Sequence, residues 1–257
     1  MTTRTPWTRQ QLLIASELYC RIPFGRITSR HPEIIRLAAM IGRSPAGLSM
    51  KMGNIASLDP AITSTGRRGL GNASNADRAM WEEMTSNWEN FAIESQEALT
   101  DFGLVEGAQE HEPGAEDSFD ETPRSGTDRP VLSTTRVGQD FFRLAVLSAY
   151  NYRCCITGLS VPRLLIASHI IPWRLNQETR VNPRNGLSLN ALHDKAFDAG
   201  FLTVDESFKV RVSEAYREDA FFSNTILAYH GKPISLPEKF SPDPDFLAYH
   251  REHIFVG

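Results

Sequence analysis

Three polar residues stand at intervals that suit phosphodiester hydrolysis: His169, Asn185 sixteen positions later, and His193 eight beyond that. They lie in the run CCITGLSVPRLLIASHIIPWRLNQETRVNPRNGLSLNALHDKAFDAG, residues 154–200. A neutral histidine can take a proton from water. A divalent ion held by ligands on a helix can neutralise charge on the non-bridging and leaving oxygens of a phosphate. An asparagine carboxamide can pin a strand-loop junction so that the base faces its target. Such a site needs two strands feeding a helix, and the local pattern offers them. A β-rich run over residues 164–171 stops at Pro172-Trp173, and a polar loop with Pro183 follows. A second extended run starts at Asn185, and residues 190–199 read as a short helix.

The flanking sequence supplies the supports. Residues 136–150 predict a helix with Phe141, Leu144, Ala145 and Leu147 on its apolar side. Residues 154–157 look strand-like and end in a turn at Gly158, and residues 201–213 read as a hairpin around Asp205-Glu206-Ser207. Short helices and Pro-rich turns fill residues 214–257. Upstream, residues 6–100 read mainly helical. Thr8 caps a helix through Cys20, His31-Pro32 opens a second that Gly42 stops, and Ser44-Pro45 opens a third over residues 46–56. Leu48, Met52 and Ile55 share one face of that third helix, and Asp59-Pro60 closes the unit.

The second and third helices have the spacing of a helix-turn-helix. On that reading Ser49, Lys51 and Asn54 face outward with Arg43 at the turn, ready to read bases or hold phosphate. A Gly-rich cluster adds Arg67 and Arg68. The alternative for all of these is an ordinary helical hairpin with a solvated basic surface.

Charge sharpens this division. The 257 residues carry a net charge of −4, which alone would disfavour a nucleic-acid partner. Its distribution does the opposite. Residues 1–80 hold 11 Lys/Arg against 4 Asp/Glu, residues 81–128 hold 1 against 14, and residues 129–257 hold 15 against 13. The acidic part contains a Glu-, Asp-, Gly- and Pro-rich stretch, residues 106–130, that lacks apolar periodicity and predicts a flexible linker. It could be a spacer or a polyanion competing with DNA for the basic face. No apolar run reaches the length of a membrane span, and the first residues lack the apolar core of a secretory signal. Three cysteines are too few for a disulfide scaffold, which points to a reducing cytoplasm.

The motifs around the three polar residues resemble the HNH family of ββα-metal endonucleases. The branch in question carries A-x-H-I-x-P-W, N-G-L-x-L and H-x-x-x-F-D. Here these read Ala167 to Trp173, Asn185 to Leu189, and His193 to Asp198. The lead-in VGQDFFRLAVLSAYNYRCCITG and the ending YHREHIF are also similar to restriction endonucleases of this branch, so the resemblance covers residues 136–257.

The resemblance implies that His169 is the general base, that Asn185 orients it, and that His193 ligates a metal. Ser168 stands where many relatives have Asp or His as a second ligand, and a hydroxyl is a weak one. Asp194 and Asp198 are the other candidates, lying about 100° and 140° round a helix from His193. Carboxylates would suit Mg²⁺ or Mn²⁺. Cys154 and Cys155 are adjacent and no cysteine follows Asn185, so no structural zinc is expected and both read as small buried residues. His250 and His253 could share a metal, but a frayed C-terminal helix is the plainer reading. Arg174 could clamp the scissile phosphate.

The expected fold is therefore α+β. A mainly helical, basic recognition domain (residues 1–100) is followed by an acidic linker (101–130) and a ββα-metal nuclease domain (131–257). The expected activity is metal-dependent cleavage of double-stranded DNA, as in restriction of foreign DNA, by a cytoplasmic homodimer. Two other classes stay open: a DNA-binding regulator with an inactive nuclease fold, and a non-specific toxin-type nuclease.

Overall fold

Thr8 opens the first helix, α1 (Arg9–Arg21), through a capping box. Its hydroxyl accepts from the Gln11 N–H, and Gln11 Oε1 accepts from the Thr8 N–H, each at 3.2 Å. The computed structural model describes residues 5–67, 69–103 and 134–257. Arg68 and most of the acidic stretch expected as a linker lie outside these described residues.

Three further helices follow: α2 (Pro32–Met40), α3 (Pro45–Ala56) and α4 (Pro60–Thr63). Each has proline in its first turn, where no N–H is needed. Gly42 (φ 67°) takes the left-handed conformation that ends α2, and the Arg43 N–H returns to the Ala38 carbonyl at 2.8 Å. Next come α5 (Asn75–Ser86) and α6 (Trp88–Asp101). The third helix packs on α1, α2 and α5, and so is enclosed on several sides.

The helix α7 (Thr134–Ala149) is the wall between two cores. Phe141 and Ala145 join the first core with Leu13, Leu18, Ile34, Leu48 and Phe91 from the preceding helices. Phe142 and Val146 join the second, with Leu165, Leu187, Leu189 and Phe197. One helix thereby supports both the helical layer and the candidate site. Val181 and Phe240, from the second half of the chain, also lie in the first core. That core thus crosses the boundary expected near residue 131.

Beyond α7 the backbone turns through Asn151 and Tyr152, both at φ 54°. The expected strand at residues 154–157 is a turn instead. Its amides bond one at a time to different segments: the Cys154 N–H to the Leu159 carbonyl and the Cys155 N–H to the Ser188 carbonyl, at 2.9 and 2.7 Å. The strands β1 (Leu165–His169) and β2 (Gly186–Asn190) pair antiparallel, with His169 opposite Gly186 and Leu165 opposite Asn190. The helix α8 (Ala191–Asp198) follows directly, then the hairpin β3 (Leu202–Val204) and β4 (Val210–Val212). The chain ends in α9 (Ala220–Thr225) and α10 (Pro244–His253). Helices α7 and α8 both pack on the β1–β2 pair. No helix of the described residues is long and apolar enough to cross a membrane.

Two buried polar residues tie the C-terminal segment down. Lys239 is fully buried, and its ammonium donates to the Tyr19, Cys20 and Ile22 carbonyls at 2.5, 2.9 and 2.9 Å. These are carbonyls at the end of α1, where helix geometry leaves acceptors unpaired and favours a cation. Burial pushes the Lys239 amine down to about 8, with Cys20 and Asp59 opposing the shift. His250 is no part of a frayed end. It stacks on Phe197 with ring centres 3.7 Å apart, accepts from the Thr203 hydroxyl at Nδ1 (2.8 Å), and donates from Nε2 to the Phe197 carbonyl (3.2 Å).

Candidate active site

Alternation along β1 divides its side chains between the two helices. His169 turns toward α7, where its ring stacks on Phe142 with centroids 3.9 Å apart and 10° between planes. The edge of Trp173 closes a second side at 5.5 Å. Ser168, one residue earlier, points the other way and lies near Asp194 on α8.

The hydrogen bonds of His169 fix its tautomer. Its Nε2 lies 2.9 Å from the Arg180 carbonyl. A carbonyl only accepts, so Nε2 carries the proton and Nδ1 keeps the lone pair. Among the described residues Nδ1 has no protein partner, and it is not closed off from solvent. Burial pushes the ring down to about 4, while the Arg180 carbonyl opposes the shift. The imidazole is thus neutral across the ordinary pH range, with its basic nitrogen open.

Asn185 is completely buried, and its carboxamide bonds to the backbone just past β1. Its Oδ1 accepts from the Ile171 N–H at 2.8 Å, and its Nδ2 donates to the Ile171 carbonyl at 3.0 Å. Its own carbonyl accepts from the Ile170 N–H at 2.9 Å. Both ends of the loop between β1 and β2 are thereby locked just past His169. Gly186 follows because a Cβ there would collide with Val146 and lie 3.0 Å from Phe142 Cζ. The Asn-Gly pair thus closes the loop and lets the strands approach the helix that carries the base's stacking partner.

On α8, Asn190 is the N-cap. Its Oδ1 accepts from the His193 N–H at 2.9 Å and lies 3.0 Å from His193 Nδ1. The oxygen already accepts the backbone donor, so the second contact places the ring proton on Nδ1. His193 therefore keeps its lone pair on Nε2, the complement of His169. That Nε2 is buried with no hydrogen-bond partner, beside the ring of Tyr229 at 5.2 Å. Burial lowers the His193 pKa; the Thr225 carbonyl opposes the shift from beyond hydrogen-bond length.

Asp194 is buried with both carboxylate oxygens unpartnered. Burial raises its pKa. Ser168 lies close enough to favour the charged form, although no hydrogen bond of normal length joins them. Asp198, one turn on, is pushed up to about 6 by burial and then by the charge of Asp194; half of its side chain still meets solvent. The two unpartnered carboxylate oxygens of Asp194 and the nearby Ser168 hydroxyl have the chemistry a hard divalent cation prefers, since buried polar atoms normally find partners. Among the described residues no three His, Cys, Asp or Glu side chains form a ready metal cluster. His193 faces Tyr229, whereas Asp194 faces Ser168.

The cations expected to meet DNA are placed differently. Lys51 is buried, paired with Asp77 at 2.6 Å and set over the Trp7 ring at 5.0 Å. The sequence explains this. Lys51 follows Leu48 by three positions and precedes Ile55 by four, so it shares their buried face rather than the outer one. Arg43 donates to Gln11 Oε1, to the Thr5 carbonyl at 2.9 Å and to the Pro6 carbonyl, and stacks over Trp7. The Asn54 amide oxygen is buried. Arg67 is exposed but pairs with Glu238 at 2.7 Å. Arg43, Lys51 and Arg67 are therefore engaged within the fold, and the outer positions of α3 are Ala46 and Met50. Arg174 is exposed beside Trp173.

Residues 154–205 match the family model described as HNH endonuclease. This stretch is an HNH endonuclease segment. The match spans β1, β2 and α8, the parts that hold His169, Asn185 and His193, and it supports nuclease activity in general. No curated protein matches the chain. The HNH segment leaves out α7 and α10, which supply the Phe142 and His250 contacts. Sequence reasoning missed the roles of Arg180, Asn190 and Phe142. Of these only Asn190 carried a local signal, as an N-cap three residues before His193.

Proposed function

We propose that the chain is a metal-dependent endonuclease that hydrolyses phosphodiester bonds in double-stranded DNA. The observation that carries this reading is the complementary pair of tautomers in the HNH segment. His169 offers an open Nδ1 at the end of β1, and His193 offers an unpartnered Nε2 at the start of α8. In this reading His169 takes the proton from the attacking water. Asn185 keeps the loop from changing shape as charge develops, and Phe142 and Trp173 hold the imidazole plane. Asp194 would hold the ion, with the Ser168 hydroxyl and Asp198 beside it, and His193 would join it once its ring turns from Tyr229. A bound Mg²⁺ or Mn²⁺ would supply charge neutralisation for the phosphate oxygens. The exposed Arg174 would contact the DNA backbone.

The restriction-type role rests on the helical layer joined to the HNH segment. Cutting both strands of a palindrome takes two such centres, so the enzyme would act as a homodimer. The test is digestion of modified and unmodified DNA of known sequence with Mg²⁺ or Mn²⁺, followed by sequencing of the ends. Discrete, metal-dependent ends support the reading. A smear would favour a non-specific nuclease, and binding without cleavage in any divalent metal would refute hydrolysis.

A further inference from the structure

The carbonyl that orients His169 belongs to Arg180, whose side chain is held from outside the HNH segment. The Arg180 guanidinium pairs with the Glu89 carboxylate and lies over the Trp173 ring at 5.1 Å. Glu89 sits in the first turn of α6, and both side chains are largely withdrawn from solvent, at 31% and 19% exposure. The adjacent Val181 is buried in the helical core. The loop therefore reaches from the end of β1 to the helical layer, makes an ion pair there, and returns to Asn185.

From this geometry we infer that Glu89 is a positioning residue for the nuclease centre, acting through Arg180 on the tautomer and orientation of His169. The inference rests on the reading of His169 as general base. The chain of contacts is short. Glu89 fixes the Arg180 side chain, the Arg180 carbonyl accepts from Nε2–H, and Nδ1 is thereby held unprotonated and aimed outward. Without Glu89, Arg180 keeps only its stacking on Trp173. Its carbonyl can then move relative to the ring, and the Nδ1–H tautomer, which cannot accept a proton at Nδ1, becomes accessible. Loss of the ion pair should act on catalysis rather than on substrate affinity, because Glu89 reaches His169 only through Arg180.

The test compares the full-length parent with Glu89→Gln, Arg180→Glu and the reversed pair E89R/R180E. Cleavage kinetics on DNA are measured beside ¹⁵N NMR of the His169 ring and thermal melts. The expected result for Glu89→Gln is a fall in kcat of about tenfold with KM unchanged. Its ring signal should move from a single Nε2–H tautomer to a mixture, while the melt stays within a few degrees of the parent. The reversed pair should recover most of the loss relative to Arg180→Glu. An unchanged kcat and a single tautomer in Glu89→Gln would overturn the inference, as would loss of activity with the tautomer intact. A parent that does not cut DNA would refute the proposed function, and the NMR comparison would still decide the coupling.

Discussion

Replacing Gly186 by alanine tests whether the base is positioned from α7. The added methyl would overlap Val146 Cγ2 and lie 3.0 Å from Phe142 Cζ and 3.2 Å from Val146 Cγ1. Val146 is β-branched and 1% exposed, so it has no free rotamer into which to retreat. Overpacking of this kind costs about 1–3 kcal/mol, and we expect about 2. Val146→Ala removes two methyl groups, worth about 1.6 kcal/mol in transfer plus a cavity term. In the double variant the new methyl occupies the vacated space, so the two costs should fall short of additivity by about 1–2 kcal/mol. Urea unfolding of the four proteins measures this directly. Because Phe142 stacks on His169, Gly186→Ala should also slow cleavage, and Val146→Ala should partly restore it. Additive costs, or a Gly186→Ala protein as stable as the parent, would refute the argument.

Two further expectations concern the buried polar anchors. Lys239→Met should lower stability by about 3 kcal/mol, because the Tyr19 and Ile22 carbonyls lose their buried donor; chemical denaturation checks this, and a loss below about 1 kcal/mol would contradict it. His250 is pushed by burial from 6.5 to about 4. The unfolded chain then takes up a proton at higher pH than the folded one. Stability should fall by about 3 kcal/mol as pH drops from 6.5 to 4 and level off below that. His169 is lowered in the same sense and adds to the slope. Unfolding at pH 7 and 4.5 measures it, and His250→Leu should be less stable at pH 7 but flatter with pH.

Much of the site was legible locally. The strand ending at His169, the second strand after Asn185 and the helix carrying His193 stand within a residue or two of the expected limits. Proline, Asn-Gly and an N-cap punctuate that stretch. The strand expected at residues 154–157 failed because apolar content alone cannot show whether a partner strand is available. Lys51 was misplaced by weighing its charge above its position between Leu48 and Ile55. The contacts of Lys239, Arg180 and His250 join segments between 47 and 220 positions apart, and no local pattern encodes them. The two-part charge plan concealed that Phe240 and Val181 complete a core built mainly from the first hundred residues.

On the proposed function, His169, with Nδ1 free, activates the water that cuts DNA. The most direct measurement is cleavage of supercoiled plasmid by the parent and by His169→Ala, with Mg²⁺ and with Mn²⁺. The parent is expected to cut only with metal, and the variant to lose at least about 100-fold, with its fold retained by circular dichroism. A His169→Ala protein that cuts as fast as the parent would show that His169 is not the base.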